Sequence, residues 1–248
     1  LYINDFNQNM NIESNTFHNG HKGPSLHLTS SSTKSQLTIY DCVFDSCQGD
    51  ENKCFYLLFE TRSFTFENCI IQNLEASGVN SYSGTFDVRD GRGYTLLNVS
   101  FINNTCNSLY GGGTGIRFIE FGSLFITECK FINNSAIQDT SQSRPSLGGK
   151  QYYNGDGGAI QIGYHCKMYD MNVDFYDCLF KNNRAQRHGG AIAAQTYHDL
   201  AIFQCTFENN IANFDFSSLS LYLLYDAYYD LKDEGRGGAL YINPAFSY

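Results

Sequence analysis

The sequence predicts an all-β chain folded as a parallel β-helix solenoid, and three observations carry that prediction. Seven segments fit one template. Each template alternates apolar residues and then slips phase. A Gly-Gly-Ala-Ile/Leu signal recurs between templates. The copies centre on Phe17, Phe44, Ile71, Phe101, Phe131, Phe180 and Phe207. Self-similarity at a period of about 20–50 residues marks a solenoid.

The first element is a strand. Seven residues before the anchor stand Met10, Leu37, Phe64, Tyr94, Leu124, Val173 and Leu200. Five before it stand Ile12, Ile39, Phe66, Leu96, Ile126, Phe175 and Ile202. Apolar residues two apart define one face of a strand. Three before the anchor every copy is polar: Ser14, Asp41, Asn68, Asn98, Glu128, Asp177 and Gln204. Two before it are Cys42, Cys69, Cys129, Cys178 and Cys205, so the apolar phase has moved by one residue. Such a slip turns side chains outward unless the chain bends, so the polar position is a corner. After each anchor comes a second corner, rich in Asn, which tolerates left-handed backbone. The glycine signal (Gly157 to Ile160, Gly189 to Ile192, Gly237 to Leu240) then leads a third strand. Degenerate forms occur at Gly113 to Ile116 and Ser83 to Phe86. Three short strands and three corners make one coil, and about seven to eight coils stack about 4.8 Å apart. Equivalent residues then form ladders: aromatic at the anchors, cysteine two before, asparagine at the corner. A helical solenoid is excluded, because Gly-Gly once per repeat breaks helices and no 3.6-residue apolar spacing is sustained.

The pairing of Gly-Gly-Ala-Ile with Phe-x-x-Asn (Phe101 to Asn104, Phe131 to Asn134, Phe180 to Asn183, Phe207 to Asn210) resembles the repeats of the chlamydial polymorphic outer-membrane proteins and of similar protist surface proteins. The resemblance is strong in the second half and weakens before residue 84. It implies a right-handed parallel β-helix on a cell surface, in structural or adhesive roles. It carries no catalytic residues.

Composition bounds the partners. The 248 residues carry a net charge of −9 with pI near 5.0, which argues against nucleic acid, whose phosphates need clustered Lys and Arg. No run of eighteen apolar residues is present, so this stretch does not span a membrane as a helix. The opening Leu1-Tyr2-Ile3-Asn4 repeats as Leu240-Tyr241-Ile242-Asn243, so residues 1–248 read as a single β-helix segment of a longer array. Its open coils would associate end to end.

Nine cysteines prompt a search for disulfides. Stacked parallel side chains, however, keep Cβ atoms near 4.8 Å with parallel vectors, whereas disulfides need about 3.5–4.5 Å and convergence. The five ladder cysteines therefore read as buried free thiols acting as small hydrophobes. Cys47, Cys54, Cys106 and Cys166 lie off the ladder, and the first two are close enough in sequence for a loop disulfide. No spacing suits zinc, and no cofactor motif is present. Asn98, Asn103 and Asn133 open glycosylation tripeptides, with Asn98 on the outward corner and the other two in the asparagine corner.

Insertions fall between the asparagine corner and the next Gly-Gly, and solenoids often bind through such a face. The stretch 141–149 is a polar loop. The stretch 214–234 reads as a helix capped by Ser218, with Leu221, Leu224, Tyr225, Tyr228 and Leu231 on one side. The simpler reading is that this helix folds onto the outside of the coil and covers it; the alternative, motivated by Tyr222 and Tyr229 on its other side, is a contact surface for a glycan, surface ligand or neighbouring subunit. Parallel β-helices also include polysaccharide lyases and hydrolases, which need paired carboxylates. Glu128 and Asp177 are consecutive on the corner ladder, but a structural pair is the simpler reading. Asp87, Asp90 and Asp170 read as isolated, and His188 has no motif around it. The expectation is a structural or adhesive extracellular or cell-surface segment and not an enzyme. The alternative is a polysaccharide-processing enzyme or carbohydrate-binding module.

Overall fold

Alternation in the first strand buries one face. In Ser63–Glu67, Phe64 and Phe66 are inside while Ser63, Thr65 and Glu67 are partly exposed. The next residue, Asn68, has φ 51°, and its equivalents Ser14, Asp41, Asn98, Glu128, Asp177 and Gln204 all lie between 51° and 56°. This left-handed turn re-aims the chain by one residue, so that Cys69 and Ile71 point inward again in Ile70–Gln72. Two residues past the anchor comes a second left-handed corner, at Ser46, Asn73, Asn103, Asn133, Asn182 and Asn209. Those two positions account for every non-glycine residue with positive φ among the described residues. An L-residue pays about 1–2 kcal/mol for this backbone. The ladder continues through the bend in compensation: Asn68 N–H donates to Leu97 O at 3.0 Å, and Asn98 N–H to Thr127 O at 3.0 Å.

The computed structural model describes residues 2–3, 8–18, 26–30, 35–46, 48–49, 55–59, 63–78, 86–89, 92–108, 115–119, 122–137, 157–162, 172–186, 188–194, 200–212 and 238–242. Every regular element among them is a β-strand, and every pairing is parallel. The insertion at 214–234 and the loop at 141–149 lie outside the described residues.

The coil has four strands, where the sequence suggested three. Each coil adds one strand to each of four sheets, of eight, seven, seven and six strands. Sheet A holds the Gly-Gly strands, for example Phe86–Arg89 and Ile160–Ile162. Sheet B holds the alternating strands and sheet C the anchors. Sheet D is the unforeseen one, formed by strands such as Glu75–Gly78 and Thr105–Ser108 after the asparagine corner. Its strands are two to four residues long. Only one described inward side chain per strand fills the core, Ala76, Cys106, Ala136 or Ala185, so no alternation betrays it.

The interior is a set of ladders. Register pairs Phe17 with Phe44, Phe44 with Ile71, and so on to Phe180 with Phe207. The rings stack face to face: Phe101–Phe131 at 5.0 Å, Phe131–Phe180 at 4.8 Å and Phe180–Phe207 at 4.8 Å, each within 6° of parallel. Ile71 interrupts the stack, and Phe44 instead meets Phe66 at 5.7 Å. The asparagine ladder is in fact two. The exposed one joins Asn133 Nδ2 to Asn103 Oδ1 at 3.1 Å and Asn182 Nδ2 to Asn133 Oδ1 at 3.1 Å. The buried one runs one residue later. Asn134 Nδ2 donates to Asn183 Oδ1 at 2.9 Å and to Phe101 O at 3.0 Å, while Asn134 N–H donates to Asn183 Oδ1 at 3.0 Å. Asn104, Asn134 and Asn183 are fully buried.

The glycine signal has a mechanical reason. Gly157 and Gly189 adopt φ 67° and 59°, and a Cβ on the following Gly158 would sit 2.1 Å from Gly190 O of the next coil. Ala159 and Ile160 behind them enter the core.

Removing the Asn134 side chain takes the acceptor from Asn104 N–H and from one Nδ2 hydrogen of Asn104 at once. At about 1–3 kcal/mol per buried unsatisfied group, Asn134→Ala should cost about 2 kcal/mol or more in urea unfolding. Asn133→Gly, one residue away but exposed and at φ 56°, should stay within about 1 kcal/mol. Equal losses for the two would refute the buried ladder as the stabilising one.

Candidate functional site

The ladder cysteines come first, because a thiol is a candidate nucleophile that recurs in the repeat. All five are free thiols, and Cys106 is buried on sheet D in register with Ala76 and Ala136. Cys47, Cys54 and Cys166 lie outside the described residues. Each ladder sulfur lies against the carbonyl two residues before it: Cys42 on Tyr40 O at 3.3 Å, Cys69 on Glu67 O at 3.1 Å, Cys178 on Tyr176 O at 3.2 Å. Cys42 N–H in turn donates to Cys69 Sγ at 3.4 Å. In the first coil Asn15 takes the same position, and its Nδ2 donates to Glu13 O at 2.7 Å. These thiols are therefore more than small hydrophobes. They carry hydrogen bonds across the left-handed corner. Burial is the main reason that Cys69 is pushed up to about 12 and Cys205 to about 11. Cys178 is raised chiefly by its hydrogen bond with Cys129. Such thiols are protonated at neutral pH and poor nucleophiles.

The corner carboxylates are placed as expected. Glu128 and Asp177 sit in adjacent coils, both exposed, with N–H groups donating to Tyr176 O and Phe203 O. His188 is structural in its contacts. It is 1% exposed, its carbonyl accepts from Gly157 N–H, and its ring stacks on Tyr241 at 4.2 Å.

Asp87 is not isolated. Sheet A brings His27, Tyr56, Asp87, Arg117, Gln161, Ala193 and Tyr241 into one row of register. The row alternates along the chain with core residues such as Ile116, Ile160 and Ile162. Gln161 at 4% and Ala193 at 5% exposure are buried, and Gln161 Oε1 meets no hydrogen-bond partner among the described residues. The sequence carries a signal for this row: it is the residue following the branched position of each Gly-Gly-Ala-Ile/Leu.

Outward positions of sheet B carry Phe125, Tyr176 and Phe203, which are 42%, 37% and 51% exposed. Tyr176 and Phe203 stack at 5.1 Å, covering one face of each ring with the other. Asn98, Asn103 and Asn133 are exposed, and each gives Nδ2 to the preceding coil, Asn98 to Asn68 Oδ1 at 2.9 Å. A substituted amide keeps one N–H, so a glycan there is compatible with the ladder. Among the described residues no cluster of His, Cys, Asp and Glu is arranged to hold a metal ion, and no helix is long and apolar enough to cross a membrane.

A family model described as right handed beta helix region matches residues 57–222. No curated protein and no solved structure matches the chain.

The thiols give a measurable consequence. Native protein should react slowly with a thiol reagent at neutral pH, with Cys205 first because it alone of the five is partly exposed, and the rest only after unfolding. A thiol whose folded pKa lies above its unfolded value of about 9 favours folding below pH 9. That contribution is lost as pH rises toward 11 and 12, so stability should fall across this window. Immediate native reaction of all five, or their recovery as disulfides, would contradict the assignment.

Proposed function

The chain belongs to the right-handed β-helix family, and on that premise we propose that it serves as a structural or adhesive segment of a secreted or cell-surface protein. One observation carries the reading most: the described coils are bound by ladders of self-satisfied side chains, which makes a rod whose outer positions are free to vary. The Gly-Gly-Ala-Ile and Phe-x-x-Asn signals support the finer likeness to chlamydial and protist surface repeats. The thiols are compatible with an oxidising location, because burial and parallel Cβ vectors keep them from pairing. The exposed amides of Asn98, Asn103 and Asn133 support the same compartment. Phe125, Tyr176 and Phe203 supply apolar contact points on the shaft.

A second reading, polysaccharide processing or carbohydrate binding, draws on one register row of sheet A. There Gln161, whose buried Oε1 meets no partner among the described residues, stands in register with Arg117, next to Asp87.

Two measurements separate these readings. An antibody raised against this chain should label intact cells of the source organism, and protease treatment of those cells should remove the signal. Labelling only after permeabilisation would overturn the surface assignment. Acidic polysaccharides incubated with the protein should stay intact, and Glu128→Gln with Asp177→Asn should leave any binding unchanged. Turnover abolished by either that double variant or Asp87→Asn would replace the first reading with the second.

A further inference from the structure

We propose that the C-terminal face of the solenoid is a docking site for one further polypeptide coil carrying the Phe-x-x-Asn repeat. The inference rests on the structural reading above and specifies the partner.

The buried asparagine ladder has a direction. In each coil the Asn gives its backbone N–H and one Nδ2 hydrogen to the Oδ1 of the next. The distances are 3.2 and 2.9 Å from Asn104 to Asn134, and 3.0 and 2.9 Å both from Asn134 to Asn183 and from Asn183 to Asn210. The other Nδ2 hydrogen returns to the anchor carbonyl of the coil before, ending with Asn210 to Phe180 O at 2.9 Å. At its N-terminal end the ladder is closed, because Leu74 N–H fills Asn104 Oδ1 at 3.0 Å. At Asn210 it stays open. That residue's N–H and second Nδ2 hydrogen meet no acceptor among the described residues.

The rest of the last coil agrees. Leu200, Ile202, Cys205, Phe207 and Leu240 pack on the core yet are only partly buried. Their equivalents one coil earlier, Val173, Phe175, Cys178, Phe180 and Ile192, are 0–2% exposed. Phe180 covers one face of Phe207. The surface thus continues the coil-on-coil interface already repeated through the molecule. An incoming Asn would take both Asn210 donors on Oδ1 and return an Nδ2 hydrogen to Phe207 O. An incoming aromatic anchor would cover the free face of Phe207.

The chemistry also selects against a second copy stacking head to tail. In the first coil the position matching Asn210 is Gly20, and in the second and third it is Cys47 and Leu74. None supplies the carboxamide.

The test uses the whole chain and a synthetic peptide of residues 172–186, which carries Phe180 and Asn183. Hydrogen exchange should show added protection at 200–212 and none at 8–18. The same peptide with Asn183→Leu should bind about tenfold more weakly or worse, since two or more hydrogen bonds are lost. Asn210→Asp in the protein keeps the acceptor for Asn183 but removes the Nδ2 donors, and should weaken binding similarly. Thermal unfolding of that variant in the absence of peptide confirms that its last coil is folded. Absent protection, equal binding by the Leu peptide, or protection at both ends would overturn the proposal. Self-association abolished by Asn210→Asp would overturn the choice of occupant in favour of a second copy. Cell labelling and polysaccharide turnover are read independently, so failure here is distinct from failure of the structural reading.

Discussion

Parallel stacking at a single coil spacing sets every interior residue against its own equivalent, and the rest of the structure depends on that constraint. A side chain survives inside only if it is complementary to a copy of itself. Phenylalanine meets the condition by offset stacking of rings. The amide of asparagine meets it because one end donates and the other accepts. A carboxylate cannot, since like charges at about 5 Å in a low dielectric repel strongly. So Asn104, Asn134, Asn183 and Asn210 occupy the buried position, whereas Asp and Glu appear at the exposed corner, at Asp41, Glu128 and Asp177. The thiols fit the same rule. A cysteine combines a weak donor with a weak acceptor in a small volume, and Cys69 Sγ uses both, donating to Glu67 O and accepting from Cys42 N–H.

This constraint explains which parts of the fold were legible in sequence. The polar position three before the anchor announced a corner because a strand cannot change its inward phase without bending. The structure places all seven equivalents in left-handed backbone, Glu128 and Gln204 included. Nothing in the side chains of those two favours it, so the location of the bend comes from the apolar phase and not from residue preference. Sheet D left no comparable trace. Its described inward residues, Ala76, Cys106, Ala136 and Ala185, are small and come one per strand, and a two-residue strand such as Arg184–Ala185 has no period to detect. The hydrogen-bonding work of the cysteines was hidden for another reason. Burial alone suffices to explain their spacing, and only Asn15, a polar substitute making the same contact, exposes the second role.

The register row of sheet A was missed through a choice of frame. Asp87 looks solitary along the chain, and Arg117 and Gln161 lie thirty and seventy-four residues further on. Their register is fixed by the neighbouring core residues, so counting from Phe86, Ile116 and Ile160 brings all three together. Chemistry in a solenoid is assembled across coils, and spacing within one coil cannot disclose it.

The strongest sequence signals in this chain are therefore poor guides to its function. Gly-Gly satisfies a left-handed turn and a close backbone approach. Phe-x-x-Asn builds two ladders, and the cysteines bridge a corner. Each motif is accounted for by holding one coil on the next, which is why each repeats. A residue that recognises something outside the solenoid has no reason to repeat and good reason to differ from its neighbours. The exposed, stacked Tyr176 and Phe203 are such exceptions. They lie where the ladder rule stops acting, on an outer face. Function in this architecture is to be sought at departures from the repeat, because the repeat itself is occupied with the fold.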